Sequence, residues 1–313
     1  MKAELVVAEA RELAQPEEAR KVHDFILKQA SRFTSATYKT HLKDLYSHIN
    51  KPAKEVTLSD VIGYKEELSR RRLKPATIAL KLTVAREFFG FLKELGEVQV
   101  NPLALIKNPK VANISSSEAL LDTEIKSLLG SINRSRPVGK RDFALLSLLY
   151  SAGLRVSELC NLKANCLEER EGKNGQKHII IKVIGKGGKG RVVKVQGWVL
   201  QAIKDYQATQ PRAEFLFTST RTGKKLTPRG VQLLIKRRVG DLKKAGFFDR
   251  DKKVSPHSLR HTYATACLRL GAKPHKVQAS LGHASIATTM RYYHELDELE
   301  DYAGDYLPAI DIS

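Results

Sequence analysis

PHSLRHTYATACLRLGAKPHKVQASLGHASIATTMRYY, residues 256–293, is the stretch from which the rest of the chain can be read. His257 and Arg260 stand three apart in a helical pattern, so their side chains share one face. His283 follows in the turn LGH. Tyr292 comes nine residues later on SIATTMRYYHEL, a second helical pattern. Upstream, Arg155 lies in SAGLRVSEL, and Lys186 lies between two short β-branched runs. Two arginines, two histidines, a lysine and a tyrosine suit one task. The arginine pair would clamp a phosphodiester, and the phenol oxygen would attack phosphorus.

The 313 residues suffice for two domains, each with its own core. Lys and Arg number 54 against 34 Asp and Glu, a formal net charge of +20. That balance favours a polyanionic partner, double-stranded nucleic acid ahead of an anionic membrane surface. No run of 18 apolar residues occurs, so no membrane span is expected. Glu4 and Glu9 interrupt the apolar N-terminus and spoil it as a signal peptide, which points to the cytoplasm and its nucleoid. Cys160, Cys166 and Cys267 lack CxxC spacing and fit buried thiols, not a disulfide frame or a zinc site.

The expected fold is mainly α with a small antiparallel β-sheet (α+β). Residues 16–104 read as a four-helix domain: PEEARKVHDFILKQ, TSATYKTHLKDLYSHI, TLSDVIGYKEELSRR and KPATIALKLTVAREFFGFLKEL. Val22, Phe25 and Ile26 mark the apolar face of the first. Thr34 or Ser35 would cap the second, Thr57 or Ser59 the third, and Pro75 suits the first turn of the fourth, which Asn101-Pro102 would end. Residues 105–118, with Pro, Asn and three Ser, have a linker composition. A second domain, 119–296, mixes helices with HIIIKVIG and RVVKV, two strands joined at KGGK; AEFLFTS is a candidate further strand. Residues 297–313 form an acidic tail.

These residues resemble the tyrosine recombinase (phage integrase, Xer-like) family. The likeness rests on SAGLRVSEL, VIGKGGKGRVV, HSLRHTYAT and LGHASIATTMRYY, in that order, and extends over roughly residues 20–295. It implies an N-terminal helical, SAM-like core-binding domain, one half of a clamp around DNA, and a C-terminal catalytic domain. It implies a site-specific recombinase that joins DNA to Tyr292 through a 3′-phosphotyrosyl link, without ATP or metal. Arg155 and Arg260 would clamp the phosphate, His257 would serve proton transfer, and His283 would donate to a non-bridging oxygen. Lys186 would protonate the departing 5′ oxygen, with Lys189 as the alternate. Glu158 either orients Arg155 or is structural. Four protomers on two sites, each a monomer when free, would form and resolve a Holliday junction.

Each assignment has a plainer rival. Arg155 and Glu158 could be a surface ion pair, and Lys186 and Lys189 exposed turn lysines. GKGGKG, residues 185–190, fits G-x-G-x-x-G, but a strand follows it where a dinucleotide site needs a helix. His257 and His261 are four apart, yet Ser258 stands where HExxH needs Glu. Tyr293 points about 100° away from Tyr292 on a helix and is assigned to packing. Arg70, Arg71, Arg72 and Lys74 at a helix corner, with Lys39 and Lys43 on the preceding helix, are candidate phosphate contacts that position a duplex without reading it. The stretch after Tyr293 holds seven carboxylates and no Lys or Arg, with Tyr306, Leu307, Ile310 and Ile312 as apolar anchors. It would dock on a neighbouring protomer or simply solubilise the chain. A lambda-type integrase, with a large domain ahead of residue 16, is not expected. The rivals at the level of function are a catalytically inert DNA-binding regulator and a type IB topoisomerase-like enzyme.

Overall fold

The computed structural model describes residues 19–28, 32–111, 118–185, 188, 190–283, 285–286 and 289–290. The chain divides into two compact units, residues 1–113 and 114–313.

The first unit holds α1 (Ala19–Leu27), α2 (Arg32–Ile49), α3 (Leu58–Arg70) and α4 (Pro75–Glu94). Val22, Phe25 and Ile26 of α1 pack with Leu42, Tyr64, Leu82, Phe88 and Phe89 in one core. Thr57 caps α3 reciprocally: its hydroxyl accepts from the Asp60 amide at 3.3 Å, and its own amide donates to the Asp60 carboxylate at 2.9 Å. Pro75 opens α4. Two local expectations change. Ser35 lies inside α2, and its hydroxyl donates to the Ile26 carbonyl at 3.2 Å, joining α2 to α1 instead of capping. The fourth helix stops at Glu94, well before Asn101, because Gly96 takes the left-handed region at φ 74°. Arg86 of α4 then holds the returning chain, donating to the carbonyls of Leu103 at 3.3 Å and Ile106 at 2.7 Å. The segment through Ile106 is thus bound to α4 rather than extended.

The second unit runs α5 (Asp122–Gly130), α6 (Pro137–Ala152), α7 (Val156–Asn161), β1 (Leu167–Glu171), β2 (Lys177–Ile184), β3 (Gly190–Lys194), α8 (Gly197–Gln207), α9 (Pro228–Lys244), α10 (Pro256–Arg269) and α11 (Pro274–Leu281). Buried leucines 145, 146, 148 and 149 make α6 the central rod, packed against α8 and α10. The sheet is antiparallel in the order β1-β2-β3, with Glu169 opposite Ile179 and Ile181 opposite Val193. Ile181, Val183 and Val193 send its buried face into the core. AEFLFTS forms no strand; Phe215 and Thr218 make isolated bridges, with Lys163 and Lys225 respectively. The third strand is LEERE instead. Its carboxylates lie on the exposed side of a sheet edge, where Glu168 pairs with Lys182 at 2.7 Å and Glu169 with Lys177 at 2.8 Å.

Candidate active site

The site begins where α6 ends. Gly153 stops that helix at φ 57°, its amide donating to the Leu149 carbonyl at 3.2 Å. Only glycine fits. A Cβ there would lie 2.5 Å from a Tyr263 ring carbon and 2.8 Å from the Leu281 side chain. Two residues on, Arg155 starts α7. Its amide donates to Glu158 Oε2 at 2.8 Å and its guanidinium to Glu158 Oε1 at 2.9 Å. The same guanidinium reaches the Gly282 carbonyl at 3.2 Å, yet its side chain stays 39% exposed.

Helix α10 delivers the second arginine. Ser255 caps it by accepting from the Ser258 amide at 3.3 Å, and Pro256 fills its first position. Arg260 is 3% exposed and donates to the carbonyls of Gly153 at 2.6 Å and Leu281 at 2.7 Å. Arg155 and Arg260 therefore hold the consecutive carbonyls of Gly282 and Leu281, one step before His283. That turn is itself fixed. Gly282 ends α11 at φ 65°, the His283 amide donates to Gln278 at 3.2 Å, and His283 Nδ1 lies 2.9 Å from the Thr289 hydroxyl.

His257 lies exposed on the first turn of α10, one turn ahead of Arg260. His261 is fully buried, and burial pushes its imidazole down to about 4, so it is neutral and structural. Lys186, Lys189, Tyr292, Tyr293 and the acidic tail lie outside the described residues. The structure thus brings Arg155, Glu158, Arg260 and His283 to one place. Among the described residues, no group of three or more His, Cys, Asp or Glu could hold a metal. No described helix is long and apolar enough to cross a membrane. Burial raises the thiols of Cys160 and Cys166 to about 11, which makes them inert.

One participant escaped the sequence reading. Arg191, in the returning strand β3, donates to Glu158 Oε1 at 2.8 Å and Oε2 at 2.7 Å, and to the Ser280 carbonyl at 2.8 Å. Burial would push the Glu158 carboxyl up. Hydrogen bonds from Arg191 and from the Arg155 amide and side chain outweigh it, and the group lies below the usual carboxylate range. A signal was present: Arg191 shares a strand face with the buried Val193, and an arginine on a buried face needs a carboxylate.

Basic surface is distributed over both units. Arg70, Arg72 and Lys74 are exposed at the α3–α4 corner, where Arg72 takes φ 53°. Arg71 is exposed as well, and it also donates to Asp44 at 2.9 Å. On α2, Lys43 is exposed and Lys39 half-buried. In the second unit, α9 exposes Arg229, Lys236, Arg237 and Lys244, while Arg238 turns inward to Asp142 at 2.9 Å.

Two family descriptions match. Residues 118–298 match the phage integrase family, and residues 24–96 match the phage integrase N-terminal SAM-like domain. Among curated proteins, tyrosine recombinase XerC of Thermodesulfovibrio yellowstonii is 31% identical over 87% of this chain and 89% of its own length. Tyrosine recombinase XerD of Listeria monocytogenes serovar 1/2a is 32% identical over 82% of this chain and 87% of its own. Among solved structures, XerH bound to palindromic difH substrate in a post-cleavage complex shares the fold, with 18% identity, a TM-score of 0.70, and coverage of 96% of this chain and 95% of that one.

Proposed function

The chain belongs to the phage integrase family of tyrosine recombinases, and from that premise we propose how its side chains divide the work. It is a site-specific DNA recombinase, a strand transferase that cuts and rejoins duplex DNA. Tyr292 is the nucleophile. Its oxygen attacks phosphorus, the P–O5′ bond breaks, and a 3′-phosphotyrosyl link and a 5′ hydroxyl result. A 5′ hydroxyl of the partner duplex then attacks that link and restores both the phosphodiester and the phenol, so the bond energy is conserved and no ATP is consumed. Lys186 protonates the departing oxygen. His257 exchanges the phenolic proton, and His283 donates to a non-bridging oxygen. Arg155 and Arg260 stabilise charge developing on the phosphoryl oxygens, the kind of preorganised electrostatics that carries the largest share of such catalysis.

The observation that carries this reading is the paired grip on consecutive carbonyls. Arg155 and Arg260, 105 residues apart, meet at Leu281 and Gly282, directly before His283. An ordinary surface ion pair would not bring three distant motifs to one turn. Exposed Arg70, Arg72, Lys74 and Lys43, with the basic face of α9, bind the duplex backbone. Four protomers assemble on two sites, and the acidic tail docks on a neighbour. Removing the residues beyond Leu299 then reduces assembly on DNA in size-exclusion chromatography; unchanged assembly removes that part of the proposal.

A nicked suicide duplex, carrying a site selected by binding from a random library, tests the chemistry. Wild type traps a covalent protein–DNA adduct and Tyr292→Phe does not. An adduct with Tyr292→Phe would move the nucleophile elsewhere, Tyr293 first. Binding with no adduct from wild type would favour the inert DNA-binding regulator.

A further inference from the structure

Beyond its core packing, the hairpin that carries Lys186 is tied to the site, among the described residues, by one polar side chain, Arg191. Arg191 is the second residue of β3, paired across the hairpin with Val183. Its guanidinium spans both oxygens of Glu158, and its Nε holds the Ser280 carbonyl at the end of α11. The fit is close: a Cβ on Gly282 would lie 3.2 Å from Arg191 Cδ. Glu158 carries four hydrogen bonds, two from Arg191 and two from Arg155. One side chain therefore touches the hairpin, the carboxylate that orients Arg155, and the turn before His283.

We propose that Arg191 is a positioning residue for strand cleavage: it locks Glu158, and through it Arg155, in register with the hairpin and the His283 turn. The inference rests on Arg155 gripping the scissile phosphate. Arg191 itself is 10% exposed in its side chain and each of its three nitrogens donates inside the protein, so it acts without touching DNA. Glu158 without Arg191 would keep Arg155 alone as a partner, and a single i,i+3 pair leaves the arginine fork free to rotate. Lysine is a poor replacement, because its donors radiate from one nitrogen, whereas these three acceptors are met by three separate nitrogens of a planar fork.

The test uses the full chain and single-turnover cleavage of the suicide duplex. Wild type, Arg155→Ala, Arg191→Lys, Arg191→Ala and Arg155→Ala/Arg191→Ala are compared on two substrates. One carries the natural phosphate, the other a methylphosphonate at the scissile position, which lacks the anionic oxygen an arginine would neutralise. DNA affinity and melting temperature are measured in parallel. Arg191→Lys should cleave the phosphate about 10-fold more slowly and Arg191→Ala about 100-fold, with DNA affinity within about threefold of wild type. Both losses should shrink on the methylphosphonate together with that of Arg155→Ala, and the double variant should be no slower than Arg155→Ala. A merely structural role would slow both substrates equally and overturn the proposal. So would wild-type cleavage by Arg191→Lys, the variant that keeps charge and length if Arg191→Ala does not fold. Should Arg155→Ala cleave the phosphate at the wild-type rate, the phosphate grip itself falls, a result distinct from failure at Arg191 alone.

Discussion

Each unit of the chain builds a carboxylate that gathers cations, Asp44 half-buried in the first and Glu158 buried in the second. In the helical unit, Asp44 accepts from the Tyr64 hydroxyl at 2.8 Å, Lys81 at 2.8 Å and Arg71 at 2.9 Å. Tyr64 is fully buried and Lys81 is 8% exposed, so those two donors are spent inside the fold. In the second unit, Glu158 accepts from Arg155 and Arg191, and Arg191 is far the less exposed, at 10% of its side chain. Arg155 keeps 39% of its side chain at the surface. The first cluster locks α2, α3 and α4 together, with Arg71 its one exposed donor. The second ends in an arginine held from behind and open in front. Exposure alone does not separate the two arginines, at 42% for Arg71 and 39% for Arg155; what sets Arg155 apart is that it also holds the Gly282 carbonyl in the turn before His283.

The comparison breaks most visibly at the arginines. Arg155→Ala should slow cleavage by about 10²–10³-fold, the scale for loss of one preorganised donor to developing charge. Arg71→Ala, at the matching place in the other cluster, should leave the cleavage rate at saturating DNA unchanged. Single-turnover rates with the nicked duplex check both. Equal losses would mean that the clusters do not differ in role.

The turn behind Arg155 comes next in size. Gly153→Ala puts a methyl group 2.5 Å from the Tyr263 ring and keeps it at φ 57°. Left-handed strain and overpacking together should cost roughly 2–4 kcal/mol. Urea unfolding followed by fluorescence should show a lower midpoint, and cleavage should fall too, because the Gly153 carbonyl holds Arg260. A midpoint within error of wild type would mean that the close approach relaxes at no cost.

The helical cluster should lose stability and not cleavage. Asp44→Asn keeps the shape but leaves Lys81, 8% exposed, without its carboxylate, at about 3 kcal/mol for a partly buried pair. Hydrogen exchange of α2–α4 amides should report the loss, while cleavage at saturating DNA stays near wild type.

These differences follow how the sequence could and could not be read. Residues whose chemistry depends on identity, such as Arg155, Arg260 and His283, stand in motifs that survive without any coordinates. Caps and stops with local causes were legible as well: Thr57 needs only Asp60 three residues on, and Gly153 only its own freedom at positive φ. What stayed hidden was decided at long range. LEERE becomes a strand because β2 offers it an edge and lysines for its carboxylates. The Ser35 hydroxyl finds a carbonyl on another helix, and Asn101 finds Arg86. Arg191 owes its importance to Glu158, 33 residues earlier, and to Ser280, 89 residues later.

The smallest effect sharpens the comparison through pH. Burial alone would raise the Asp44 carboxyl, but Lys81, Arg71 and Tyr64 hold it down at about 2, against 3.8 for an ordinary aspartate. A depressed carboxyl stabilises the fold fully above its unfolded value, and the contribution is lost as pH falls through the folded value. The window is therefore from about pH 4 down to about pH 2, and the linked stability is about 2 kcal/mol. Other carboxylates titrate there too, so the informative quantity is the difference between wild type and Asp44→Asn. That difference, read from exchange of α2–α4 amides, should be complete at pH 5 and shrink steadily toward pH 2.5. A gap that holds constant to pH 2.5 would mean that the shape of Asp44, and not its charge, keeps the three helices together.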